Sequence, residues 1–222
     1  MATFTQRITD LIGSEYIDIA SLSVDDLFNA ATNEVADMLP TELLLKYCAT
    51  KTDINAGTGM DGTEEKKILL VLREINDTDN TYVQCKPVPF ADFLKVQQTD
   101  SIYFPTVESP VYVYGSTAIN DVKLKIFPVP TANQLGIVWS FVYATGSNTG
   151  ASILSGLPDM CLQAVVLKAC INILQAYISN FVQDEEDNEM LGMLNAQIQS
   201  ISALYTLEIN RFKEADATPR GE

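Results

Sequence analysis

Residues 157–182 read LPDMCLQAVVLKACINILQAYISNFV, and the architecture follows from what such a stretch needs around it. After Pro158 it contains no Gly or Pro, and Met160, Ala164, Leu167, Ile171, Leu174, Ile178 and Phe181 recur at steps of four and three, one face of a helix. Pro158 suits a first helical turn, where a missing N–H costs nothing, and Asp159 suits the positive end of the helix dipole. An acidic break follows at Asp184, Glu185, Glu186, Asp187 and Glu189. A second stripe then runs through Leu191, Leu194, Ile198, Ile201, Tyr205 and Phe212, with Asn195, Gln197, Gln199, Ser202 and Thr206 on the other face. Two amphipathic helices joined by a short polar turn predict an antiparallel helix hairpin over 157–213. The first helix is apolar over more than one face, because Cys161, Val165, Val166, Ala169 and Ile173 flank its main stripe. Such a helix is either the centre of its own bundle or also a contact with another subunit, and the pattern leaves both open.

Upstream, residues 1–50 predict further helices. Phe4, Ile8, Leu11 and Ile12 share a face that stops at Gly13. Ser23 is a helix N-cap, with Asp25 and Asp26 in the first turn; Val24, Leu27, Phe28, Ala31, Val35 and Met38 make the stripe, which breaks at Pro40. Residues 50–65 are polar and Gly-rich and read as an exposed loop.

The character changes over 66–145. Ile68 to Leu72 is a short apolar run, a buried strand; Asn76 to Asn80 is a turn and Thr81 to Lys86 a second strand. Val111 to Tyr114 and Val122 to Ile126 form a hairpin, and Leu135 to Ala144 puts Ile137, Trp139, Phe141 and Tyr143 on one strand face. Thr145 to Gly156 reads as a linker, and 214–222 as a flexible polar tail. The fold class is therefore α+β: a helical bundle made from the N-terminal helices and the C-terminal hairpin, with an inserted antiparallel β lobe.

Composition narrows function more by exclusion. The chain has 222 residues, 47% apolar and 19% charged, which is globular. It carries 29 Asp/Glu against 14 Lys/Arg, a net charge of −15. Eight acids and no base lie between Arg7 and Lys46, and Lys168 is the one base between Ile126 and Asn210. Such a surface repels nucleic acid and anionic membrane. Residues 157–182 are long enough to span a bilayer, but Gln163, Lys168, Asn172 and Gln175 interrupt them, and a buried helix is preferred. Met1 to Phe4 has no basic or apolar leader pattern, so no signal peptide is expected. Cys48, Cys85, Cys161 and Cys170 form no C-x-x-C and read as small core residues in a reducing compartment.

Catalytic patterns are poor. No histidine is present, which removes Ser-His and Cys-His nucleophiles and most zinc sites. Gly57-Thr58-Gly59-Met60-Asp61-Gly62 matches a dinucleotide motif literally, yet it precedes a strand instead of following one. Asp77 and Asp79 lack the glycine and closing glutamate of a calcium loop. Tyr103, Tyr112, Tyr114, Trp139 and Tyr143 are either sheet core or a ligand-stacking surface. An enzyme using Asp77, Asp79 or Glu185 is the weaker expectation, since no carboxylate pair has a defined context.

Four local features resemble the head-to-tail connector (adaptor) proteins of tailed bacteriophages. They are Ser21-Leu22-Ser23-Val24-Asp25-Asp26-Leu27 opening an early helix; Pro87-Val88-Pro89-Phe90; Pro110-Val111-Tyr112 followed by Lys123 to Pro130; and Leu157-Pro158-Asp159 before an apolar helix, an acidic break and a last helix. The likeness spans roughly residues 20–215; the Gly-rich loop at 50–65 departs from it. The resemblance implies a virion structural protein of the neck region, made in the bacterial cytoplasm, not an enzyme and without a cofactor. Such adaptors form a ring, usually twelvefold, beneath the portal protein and extend the DNA channel towards tail or neck proteins. DNA passes without specific binding, and no membrane is involved. On that reading Val165, Val166, Ala169, Ile173 and Tyr177 are candidate subunit contacts. Asp184, Glu185, Glu186, Asp187 and Glu189 are a candidate lumen surface or polar turn, and Glu214, Asp216, Pro219 and Arg220 a candidate portal-docking tail. A tail terminator or tail-completion ring protein is the alternative.

Overall fold

A computed structural model describes residues 2–17, 22–47, 49–54, 66–76, 81–116, 122–131, 134–154, 157–181 and 188–217. The protein is α+β, and the chain divides into two compact units, one from residues 1–47 with 143–222 and one from residues 48–142. The loop 57–62, the turn at Asp77 and Asp79, and Cys48 lie outside the described residues.

The first unit is helical. Helix α1, Phe4–Ile12, starts at a capping box in which the Thr3 side chain accepts from Gln6 N–H and Gln6 reaches back to Thr3 N–H. It ends at Gly13, whose φ of 97° suits a residue without Cβ. Helix α2, Val24–Met38, is capped by Ser23, whose side chain accepts from Asp26 N–H, and stops at Leu39 before Pro40. Helix α3, Thr41–Tyr47, follows at once. Phe4, Ile8, Phe28, Ala31 and Val35 have no exposed surface, and the Phe4 and Phe28 rings meet at 4.8 Å.

The second unit holds all seven strands found among the described residues. Strands β1 (Thr50–Ile54), β2 (Lys66–Glu74) and β3 (Tyr82–Gln84) share a sheet with a later strand at Gly136–Val142. The short strand β4 (Lys86–Val88) leads through a 3-10 turn at Phe90–Asp92 into helix α4, Phe93–Gln97. Strands β5 (Val111–Ser116) and β6 (Val122–Phe127) follow, and Gly136–Val142 is β7. One sheet has the order β1-β7-β2-β3, every pair antiparallel; the other has the order β4-β5-β6. The β4–β5 pair is parallel, which corrects the expectation of a purely antiparallel lobe. Residues 50–54, read as loop, are strand, and 82–88 is two strands in two sheets instead of one. Ile54, Val71 and Val138 of the larger sheet pack with Leu124 and Ile126 of the smaller. A Cβ on Gly136 would meet Ile126 Cδ1 at 2.5 Å, so the two sheets approach closely there. Strand β7 is buried on both faces, Val138 and Ser140 as fully as Ile137 and Phe141, as befits a central strand.

Back in the first unit, helix α5, Leu162–Phe181, follows a 3-10 turn at Asp159–Cys161, and α6, Asn188–Ala217, ends the described chain. Helices α1, α2 and α6 all pack against α5. The thirty residues of α6 span about 45 Å, against about 30 Å for α5. Helix α6 runs through residues 214–217, which corrects the expectation that a flexible tail begins at 214.

Candidate functional site

The expected subunit contacts on α5 are placed inside the chain. Val165, Val166, Ala169 and Ile173 are 0–1% exposed, so they offer another subunit no surface. The extra apolarity of α5 is met by α1, α2 and α6 on its several sides, which corrects the contact assignment for these four. Tyr177 is half-buried, its ring edge-on to Tyr16 at 4.9 Å. Glu189 is exposed in the first turn of α6, where a carboxylate complements the helix dipole. Asp184, Glu185, Glu186 and Asp187 lie outside the described residues, as do Pro219 and Arg220. Glu214 and Asp216 sit on helical backbone, but their side chains are outside the described set.

The segment read as a linker turns out to be fastened. The Asp25 carboxylate accepts from Ser147 Oγ at 2.8 Å, Asn148 N–H at 3.0 Å, Thr149 N–H at 3.0 Å and Thr149 Oγ1 at 2.8 Å. Burial alone would raise its pKa; the Thr149, Ser147 and Asn148 donors outweigh that and hold it below the ordinary carboxylate value. Further along α2, Asn29 Nδ2 donates to the Gly146 carbonyl at 2.7 Å, and Asn33 Oδ1 accepts from Ala144 N–H at 2.7 Å. Phe4 and Thr5 N–H then donate to the carbonyls of Ala151 and Thr149, which supplies partners to α1's free first-turn donors. These bonds fasten residues 144–151 to α1 and α2.

A polar cluster lies beside α5. Lys168 Nζ pairs with Glu34 at 2.8 Å and sits 5.9 Å from the centre of the Tyr205 ring, while Tyr205 Oη donates to Met38 Sδ at 3.3 Å. Burial, then the Glu34 charge, pushes the Tyr205 phenol up to about 12, so it stays protonated. Cys85 and Cys170 are pushed up to about 12 by burial and are not nucleophiles at neutral pH. Cys85, Cys161 and Cys170 are buried and in no disulfide, as expected of small core residues. Among the described residues no group of His, Cys, Asp or Glu could hold a metal ion.

In the strand unit Arg73 is 2% exposed. Its guanidinium donates to the carbonyls of Pro128 at 2.8 Å and Glu74 at 2.6 Å and to Gln134 Oε1 at 2.9 Å. It clamps the turn before β7 and has no open face to offer a substrate. A cavity of about 280 Å³ lies between β4, α4 and Tyr103, lined by Val88, Pro89, Val96 and Val111. Its charged rim is already paired, Lys95 to Asp92 at 2.7 Å, which leaves a small apolar recess. The strand aromatics do not form one surface. Tyr112 packs on the core between the sheets, Tyr114 and Tyr103 are exposed, and Tyr143 belongs to the helical unit, where its hydroxyl meets Asp37.

The residues 159–180 are long and apolar enough to cross a membrane, and 61% of that window is buried within the chain. Compared with known proteins, the chain matches no family model, and no curated protein matches its sequence. The helical unit carries 18 Asp/Glu against 6 Lys/Arg, and the strand unit 11 against 8. The most exposed apolar side chains of the helical unit's longest helix are Met193, Leu207, Leu204 and Met190, on α6. Reading sequence for apolar stripes alone misses them, since Gln and Ser interleave with them; the signal that finds them is the absence of any charge from Met190 to Leu207.

Proposed function

We propose that this chain is a virion structural protein, a head-to-tail connector ring subunit that lies beneath a phage portal and extends the DNA channel towards the tail. The finer fold belongs to the same proposal: a helical bundle closed by an antiparallel α5–α6 hairpin, with the strand unit as an inserted lobe. The observation that carries the reading is the helix–strand–helix order in which both chain ends build one acidic unit around α5. A channel wall of this kind has to pass a polyanion without holding it. Carboxylates facing phosphates do that, because no Lys or Arg replaces the counterions of the duplex. Among the described residues the thiols of Cys85, Cys161 and Cys170 are buried, and Arg73 and Lys168 are held by hydrogen bonds and an ion pair within the chain.

The reading is tested by mixing the purified chain with the portal protein of the same particle and examining the product by native mass spectrometry and negative-stain microscopy. A closed ring of copies seated on the portal is expected. A chain that stays monomeric with and without portal refutes the reading.

A further inference from the structure

We propose that α6 carries a second helix-packing seam and that a second copy of this chain covers it. The proposal rests on the ring reading for the number of copies but not for the contact itself.

Met190, Met193, Gln197, Ser200, Leu204 and Leu207 are spaced three, four, three, four and three residues apart, which is the a/d frame of a heptad. One residue further along, Leu191, Leu194, Ile198, Ile201 and Tyr205 repeat the same frame. The chain covers the second frame: Leu194 and Ile201 are 2% and 5% exposed, and α5 is the helix that α6 packs against. The first frame is exposed at its apolar positions. Met193 is 69% exposed, Leu207 62%, Leu204 48% and Met190 41%. Helix α6 is thus two-faced, one seam filled from within and one open. Gln197 donates to the Leu11 carbonyl of α1, and Leu11 is itself partly exposed, so the open seam continues onto α1.

Charge selects the occupant. From Met190 to Leu207 there are eighteen residues without a single charged side chain, in a chain whose helical unit holds 18 acids against 6 bases. Two copies of so acidic a chain repel wherever carboxylates meet, and the uncharged seam is where that cost is least. Nucleic acid finds no Lys or Arg on it. An anionic membrane surface would need the basic rim that interfacial helices carry, which the seam lacks. A helical frame asks for a helical partner, and the middle positions Gln197 and Ser200 are polar, as at seams where register is specified at some cost in affinity. In a ring this contact is head-to-tail, each copy presenting the seam to one neighbour.

The test compares the wild-type chain with Met193→Glu/Leu204→Glu and with Asn195→Glu/Gln199→Glu, which adds the same charge to exposed positions on the other side of α6. Size-exclusion chromatography with light scattering reads the oligomer, and far-UV circular dichroism reads the fold. The expected result is loss of self-association in the seam variant, a dissociation constant raised roughly thirtyfold or more, with helicity unchanged and the control still assembled. A seam variant that assembles like wild type overturns the seam while leaving the ring reading standing. A wild-type chain that forms a seam-dependent dimer and never a ring upholds the seam and overturns the ring. If the glutamates unfold the chain, hydroxyl-radical footprinting of the wild type decides: Met193 oxidation falls several-fold in the oligomer relative to the dilute monomer if the seam is covered, and unchanged oxidation overturns the proposal.

Discussion

Replacing Asp25 by alanine is the sharpest test of how the helical unit is closed. The carboxylate gathers four donors from residues 147–149, more than 120 positions away, and these bonds fasten the returning chain to the first turn of α2. Alanine strands the N–H groups of Asn148 and Thr149 and two hydroxyls. A hydrogen bond to a charged group contributes about 1.5–3 kcal/mol, and a donor left without a partner costs about 1–3 kcal/mol. The site is only partly buried, so water recovers much of this, and the expected net loss is about 2 kcal/mol. An asparagine side chain keeps a carbonyl oxygen facing Asn148 and Thr149, so Asp25→Asn should lose about half as much. Asp26→Ala, at an exposed neighbour in the same turn, is the control and should stay within about 0.5 kcal/mol. Urea unfolding followed by far-UV circular dichroism reads all three. Equal losses for Asp25→Ala and Asp26→Ala would refute the fastening, because the effect would then be that of any acid at a helix N-terminus. The pH dependence has a definite sign. A carboxylate whose folded pKa is lowered stabilises the fold fully above its unfolded value, about 3.9, and loses that contribution as pH falls through the folded value. The gap between wild type and Asp25→Ala should therefore be constant near neutrality and close below about pH 4.

Other expectations follow from the same packing. Ile173→Ala, at a fully buried α5 position, should cost about 2–5 kcal/mol in urea unfolding, far more than a contact residue exposed in the monomer would. Arg73→Met should cost about 3 kcal/mol or more, since the carbonyls of Pro128 and Glu74 lose their donor; a change under about 1 kcal/mol would mean the clamp on the turn before β7 is dispensable. Glu34→Gln should cost about 1 kcal/mol by weakening the partner of the mostly buried Lys168, discounted for the exposure of Glu34, and the thermal midpoint measures it. Duplex DNA should show no mobility shift with the purified chain even at low salt; a salt-dependent complex would contradict the role given to the acidic surface.

The elements visible in sequence are those with a strong period of their own. Helices α1, α2, α5 and α6 each repeat apolar residues at helical spacing, and local chemistry agrees with tertiary packing along them. Strand β1 is not legible because Thr50-Lys51-Thr52-Asp53 is polar on both faces; it is an edge strand whose pairing to β7 supplies what its side chains lack. The division of residues 82–88 between two sheets turns on Cys85, buried between them, and three-residue parallel pairing leaves no local mark. The fastening of 144–151 is hidden for a similar reason. Asp25 reads as a first-turn acid, and its actual partners are distant in sequence. On α5 the surplus of apolar residues is a correct sign of cover on several sides, but Val165, Val166, Ala169 and Ile173 are covered by the chain itself. The open seam lies instead on α6, whose frame of Met, Gln, Ser and Leu carries no uniform apolar stripe.

The central claim is the place of this protein in a particle. If the proposal holds the chain belongs to a tailed phage, and the direct measurement is a cryo-EM map of that particle's neck, traced with this chain. The predicted result is a closed ring between portal and tail, with the acidic helical unit forming the wall of the DNA channel. A neck map in which every density between portal and tail is filled by other chains would contradict it.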